Sequence, residues 1–120
     1  MTARQVKRKA PRRTGIPPVL TNGRLEVSAR NRVVRTDGRH LHLTPTQLGV
    51  LVELLRHRGT PRSREQLMAA VWGPDSAAGE RAVDVAVARL RAQLRRRIPG
   101  IVYVHTDVGY GYRFEPEPAE

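Results

Sequence analysis

Residues 80–114 read ERAVDVAVARLRAQLRRRIPGIVYVHTDVGYGYRF, and two different periodicities meet inside them. Val83, Ala86, Val87, Leu90, Leu94 and Ile98 recur at helical spacing, which predicts a helix over 80–97 with that stripe buried. Pro99-Gly100 stops it. Residues 101–105 and 110–114 are rich in β-branched and aromatic types. Asp107-Val108-Gly109 supplies a turn between them, so a hairpin closes the segment. The helix carries six arginines against Glu80 and Asp84. Its other face gathers Arg81, Val85, Ala88, Arg89, Ala92, Arg95 and Arg96, with Arg91 on the flank. A solvated helix would mix charges of both signs four residues apart. So many like charges repel one another unless a polyanion neutralises them. Ala88 and Ala92 let a surface approach the backbone closely. An α-helix fits the major groove of DNA, where arginine reads guanine with two hydrogen bonds and Ala or Val meets a thymine methyl. The bland alternative is a solvated basic face.

Upstream lie two helix starts. Thr44-Pro45-Thr46-Gln47 combines an N-cap, a proline at the first helical position and a glutamine three residues after the cap. Leu48, Leu51, Val52 and Leu55 follow at helical spacing, and Gly59 ends the segment. Ser63-Arg64-Glu65-Gln66 repeats the capping pattern and opens a shorter helix to Trp72, closed by Gly73-Pro74. Residues 75–79 form a small-residue loop. Before Thr44 the pattern is strand-like at 24–27, 32–35 and 39–43, with a hairpin signal at Asp37-Gly38. His40 and His42 alternate with Leu41 and Leu43, so both should face solvent. The predicted fold class is α+β: a winged helix-turn-helix with an N-terminal antiparallel sheet, three helices and a C-terminal β-hairpin wing, over residues 19–114. Residues 1–18 contain Arg4, Lys7, Arg8, Lys9, Arg12 and Arg13 with no acid, and read as a disordered basic arm. It is either a solvated tail or an arm lying along DNA. Residues 115–120 read as a disordered acidic tail.

The composition narrows the function. The 120 residues suffice for one domain, and a formal charge of +11 favours a polyanionic partner, nucleic acid before acidic membrane. Only Lys7 and Lys9 are lysines, which GC-rich coding explains as readily as arginine chemistry does. With no cysteine there is no disulfide framework and no thiolate zinc site. No apolar run reaches spanning length, and no hydrophobic stretch follows the basic N-terminus as in a signal peptide. We expect a cytoplasmic, nucleoid-associated protein without membrane contact. No nucleophile set, phosphate loop or metal-spaced His/carboxylate cluster appears, so neither an enzyme nor a cofactor or metal site is expected. Single-strand and RNA platforms stack bases on aromatic side chains, and this chain has five in all. Duplex DNA fits better.

Taken in order, these motifs resemble the DNA-binding domain of OmpR/PhoB-type response regulators. The resemblance rests on Leu43-Thr44-Pro45-Thr46-Gln47, Arg62-Ser63-Arg64-Glu65-Gln66-Leu67, Val71-Trp72-Gly73, Val83-Asp84-Val85 with Arg89-Leu90-Arg91, and Gly109-Tyr110-Gly111-Tyr112-Arg113-Phe114. It spans about residues 22–114. It implies that the third helix enters the major groove and the hairpin reaches the adjacent minor groove. By matching position, Arg81, Arg89 and Arg91 contact phosphate or base. Trp72 donates its indole N–H to a phosphate or packs at the helix end, and Arg62 and Arg64 join the DNA contacts. It also implies that the 73–79 loop can touch RNA polymerase, and that a monomer in solution can pair in tandem on DNA. Asp84 is expected to order a nearby arginine.

This sequence departs from the family in three ways. Nothing upstream could form a receiver domain, so phosphorylation control is not expected within the chain; it is either a free-standing receiver-less protein, which the starting Met and basic lead-in mildly favour, or a fragment of a longer regulator. Ala82, Ala86, Ala88 and Ala92 replace residues that are often polar, which reduces direct base readout. At the wing tip Val108 stands where an arginine is usual, leaving Arg113, Tyr110 or His105 to substitute; an exposed strand residue is the plainer reading of His105. The leading function is a sequence-specific DNA-binding transcriptional regulator. The alternatives are a nonspecific architectural DNA-binding protein and a protein-interaction module that contacts RNA polymerase or another regulator.

Overall fold

In the computed structural model, which describes residues 20–21 and 24–119, Asp37 and Gly38 both have positive φ, 52° and 80°. This geometry suits the tight two-residue turn that Asp-Gly favours. The turn joins β3 (Val33–Thr36) to β4 (Arg39–His40). With β1 (Leu20–Thr21) and β2 (Leu25–Ser28) they form a four-stranded antiparallel sheet in the order β1-β2-β3-β4. Leu25, Val27, Val34 and Thr36 are buried, and Arg35 between the last two is exposed, as strand alternation requires. Arg24 grips Asp37 with two parallel bonds, Nε–Oδ1 3.0 Å and Nη2–Oδ2 2.9 Å. Only residues 39–40 of the strand expected over 39–43 pair; Leu41 is buried and His40 and His42 are exposed. The basic arm at 1–18 lies outside the described residues.

The chain divides into two compact units, residues up to 40 and residues from 41 onward. The second opens with α1 (Pro45–Arg56), capped as its sequence predicts. Thr44 Oγ1 accepts from Gln47 N–H, and Gln47 Oε1 accepts from Thr44 N–H, both at 3.1 Å. Its buried arc is wider than the predicted stripe: Val50 and Leu54 are fully buried beside Leu48, Leu51 and Leu55, while Val52 is half-buried. β5 (Arg62–Ser63) leads into α2 (Arg64–Leu67), again with a reciprocal Ser63–Gln66 cap. The predicted helix to Trp72 is regular only to Leu67; Met68–Trp72 form a π-helical turn, closed by Gly73 at φ 96°.

α3 (Arg81–Arg97) buries its predicted stripe in full. β6 (Ile101–Asp107) and β7 (Gly111–Pro118) form the hairpin, and β5 adds to β7 to give the order β5-β7-β6. A Cβ on Gly111 would collide with the Arg62 carbonyl oxygen, so only glycine permits this close pairing with β5. Tyr103 and Phe114 pack ring to ring at 5.8 Å within the core. The acidic end differs from expectation. Glu115, Pro116, Glu117 and Pro118 continue β7 because β6 begins at Ile101, leaving Ile101 and Val102 to pair with Pro118 and Glu117. Prolines are tolerated where a strand has one open side.

Candidate nucleic-acid interface

Once its apolar stripe is buried, α3 presents Arg81, Val85, Ala88, Arg89, Arg95 and Arg96 as exposed residues along about 25 Å of helix, with Ala92 half-buried. Val85 is 43% exposed, which is unusual for a valine beside a full core. Among the described residues no ion pair involves Arg89, Arg95 or Arg96. Arg81 stands close enough to Asp84 to favour its charged form. The face therefore offers cations and small apolar groups that the chain itself leaves uncompensated.

Other arginines expected at this surface are engaged internally. Arg64 Nε donates to Asp84 Oδ1 at 2.7 Å, and the Tyr112 hydroxyl donates to the same oxygen at 2.6 Å. The Arg64 and Arg91 guanidiniums lie 5.2 and 5.4 Å from the Tyr112 ring centre. The hydrogen bond from Tyr112, then that from Arg64, hold the Asp84 carboxyl below the ordinary range, against the opposing effect of burial. Burial first, and then the bond to Asp84, push the Tyr112 phenol up. Arg91 Nε donates to the Val104 carbonyl at 3.1 Å and Nη2 to Thr106 Oγ1 at 2.6 Å, fastening α3 to β6. Partial burial lowers the Arg91 pKa. Arg62 Nη2 meets Glu53 Oε2 of α1 at 3.1 Å, and Arg113 Nε meets Asp107 Oδ1 at 3.2 Å. Asp84 orders an arginine, as expected. Sequence reasoning did not single out Tyr112, whose hydroxyl links β7 to α3; its place among the closing aromatics was the available signal.

At the hairpin tip Val108 is 94% exposed and Tyr110 48%, with Gly109 at φ 80° making the turn. Trp72 is half-buried at the end of the π-helical turn. His105 is not an exposed strand residue: half-buried, it donates from Nε2 to the Glu115 carbonyl at 2.8 Å and lies 3.6 Å from Glu117 Oε1. The 73–79 loop is largely exposed. Among the described residues no cluster of His, Asp and Glu could hold a metal, and no helix is long and apolar enough to cross a membrane.

Residues 38–114 match the family model of the transcriptional regulatory protein C-terminal domain. The chain belongs to this family. It is a family of transcription-factor DNA-binding domains rather than of enzymes. Among curated relatives, the transcriptional regulatory proteins AfsQ1 of Streptomyces coelicolor and KdpE of Mycobacterium tuberculosis are 38% and 37% identical over 94 and 98 residues. These alignments cover 78% and 82% of this chain but only 42% and 43% of the relatives' length. Among solved structures, the DNA-binding domain of CpxR from E. coli superposes with a TM-score of 0.71 at 31% identity, covering 82% of this chain and 96% of that one. The Klebsiella pneumoniae RstA DNA-binding domain in complex with the RstA box gives 0.70 at 28% identity, over 82% and 97%. The family member carries the winged-helix fold, with its three helices and antiparallel sheets.

Proposed function

We propose that this chain is a transcriptional regulator that binds double-stranded DNA sequence-specifically, with α3 in the major groove and the β6–β7 hairpin at the minor groove. The observation that carries this reading is the exposed α3 face, where arginines without ion-pair partners alternate with Val85 and Ala88. The RstA domain, which shares the fold, is named as bound to its DNA box. Arg81, Arg89, Arg95 and Arg96 are the side chains available to bases and phosphates, and Trp72 and Tyr110 to phosphates at the flanks. Arg62, Arg64, Arg91 and Arg113 act chiefly by positioning, since each already donates within the chain. With Val108 at its tip, the hairpin meets the minor groove by an apolar contact and by Tyr110. The protein works in the cytoplasm on the nucleoid, as a monomer in solution that pairs in tandem on DNA, and the 73–79 loop faces RNA polymerase.

Selection from a randomised duplex pool, followed by salt titration of the enriched site against scrambled DNA, tests this reading. A recovered motif bound at least a thousandfold more tightly than scramble is expected. Equal, steeply salt-dependent binding to every duplex would overturn it in favour of an architectural protein, a reading that the alanines at 88 and 92 favour. Negligible binding would leave a protein-interaction module.

A further inference from the structure

Most of the net positive charge lies outside the unit that holds α3. Residues 1–40 hold eleven lysines and arginines against two acids, Glu26 and Asp37, a formal +9; residues 41–120 hold eleven against nine, a formal +2. The chain divides into its two compact units at this same position. Within the described part of the first unit, Arg24 is matched by Asp37. Arg30, Arg32, Arg35 and Arg39 are all exposed, and no ion pair among the described residues involves them. They bracket one short strand. Arg30 and Arg32 lie in the turn before β3, and Arg35 on its exposed side across from Glu26, whereas Arg39, paired with buried Thr36, lies at the margin of the other face on the edge strand β4. Arg32 takes a left-handed φ of 54°, a conformation that an arginine rarely adopts. β3 is about 13 Å long, a distance over which duplex DNA presents about eight phosphate charges.

We propose that the N-terminal sheet is a second duplex-DNA surface, one that grips phosphates chiefly through Arg30, Arg32 and Arg35, with Arg39 adding charge at the sheet margin, without reading sequence. The inference rests on the duplex-binding function above and adds to it a division of labour, with affinity from the sheet and discrimination from α3. An acidic protein fits this surface less well. The cores of protein interfaces are apolar and poor in charge, whereas every exposed large hydrophobic of the described residues (Val85, Val102, Val108 and Tyr110) lies beyond residue 40. Arginine without apolar neighbours is the chemistry of backbone contact rather than base readout, because phosphate contacts position a protein and carry no sequence information.

The test uses the full chain and its R30Q/R32Q/R35Q/R39Q variant, titrated by fluorescence anisotropy with the selected duplex and a scrambled one between 50 and 300 mM salt. At about 0.1 M salt the variant should lose roughly tenfold or more in affinity on both duplexes, with their ratio unchanged. The log–log salt slope should become shallower by about 0.9 for each phosphate that is no longer neutralised, roughly 2 to 4 in all. The fourfold lysine variant should retain most of the binding. Circular dichroism checks folding. Should the fourfold glutamine variant unfold, R30Q/R32Q and R35Q/R39Q are each expected to give about half the slope change. Unchanged affinity and slope on both duplexes would overturn the proposal, and is the result an acidic-protein surface or a solvated face would give. A loss confined to the selected site would overturn it too. A wild-type chain that binds both duplexes equally, with a slope that falls in the glutamine variant, refutes sequence reading and upholds the sheet surface. A wild-type chain that binds neither refutes both.

Discussion

Replacing Arg91 by alanine separates a side chain that holds the fold from one that holds DNA. Arg91 is half-buried, donates to the Val104 carbonyl and the Thr106 hydroxyl, and lies over the Tyr112 ring. A hydrogen bond from a charged donor contributes about 1.5–3 kcal/mol when shielded. Partial exposure of this guanidinium reduces each to about 1 kcal/mol, so the pair contributes about 2 kcal/mol. In a domain of this size that corresponds to a fall in Tm of roughly 8–16 °C. Urea unfolding followed by circular dichroism measures the loss, and anisotropy well below the new Tm measures DNA affinity in the same variant. Arg91→Ala should therefore cost stability while weakening DNA binding less than Arg89→Ala does. Stability within about 0.5 kcal/mol of wild type, together with a loss of affinity as large as that of Arg89→Ala, would refute the reasoning and make Arg91 a DNA contact.

Arg89→Ala itself should weaken binding to the selected site by about 1–3 kcal/mol if Arg89 reads a base; an equal loss on scrambled DNA would show that it touches only phosphate. Gly111→Ala forces a Cβ into the Arg62 carbonyl and should destabilise by about 1–3 kcal/mol in chemical denaturation; a neutral outcome would mean that β5 moves aside freely. Asp84 has a folded pKa below its unfolded value, so its contribution is present above about pH 3.9 and lost as pH falls through the lower folded value. The stability difference between wild type and Asp84→Asn should accordingly shrink on acidification, and a gap that stays constant below pH 3 would remove the linkage. Thr44→Ala deletes the α1 cap and should lower stability by about 1 kcal/mol, read by the same urea titration.

The elements most legible in the sequence were those in which a local rule and the tertiary fold agree. Both capping boxes, the Asp37-Gly38 turn and the α3 stripe depend on residues within a few positions of one another, and they appear as read. The extension of β7 through Pro116 and Pro118 depends on where β6 begins, a pairing across the hairpin that composition at the end of the chain does not encode. The π-helical turn at Met68–Trp72 accompanies the close approach of Val71 to Gly49, a partner about twenty residues away. At the candidate site, charge pattern singled out α3 but could not sort its arginines. Arg89 and Arg91 differ by two positions, yet one faces outward and the other reaches β6, because a flank residue's partner is set by what packs beside the helix. Likewise Arg62, Arg64 and Arg113 look like free cations until Glu53, Asp84 and Asp107 arrive from elsewhere in the chain.

Among the described residues, the order β5-β7-β6 leaves β6 with one side unpaired by any strand. Strand edges of this kind invite a second chain to anneal to them, and proteins that accumulate at high local concentration are the most exposed to that hazard. Arg91 lies at this edge, with its charge fixed between the Val104 carbonyl and the Thr106 hydroxyl. A single guanidinium thus occupies part of that open edge as well as clasping helix to hairpin. In this family member, the cover on one strand edge and the seating of α3 are tied to one side chain.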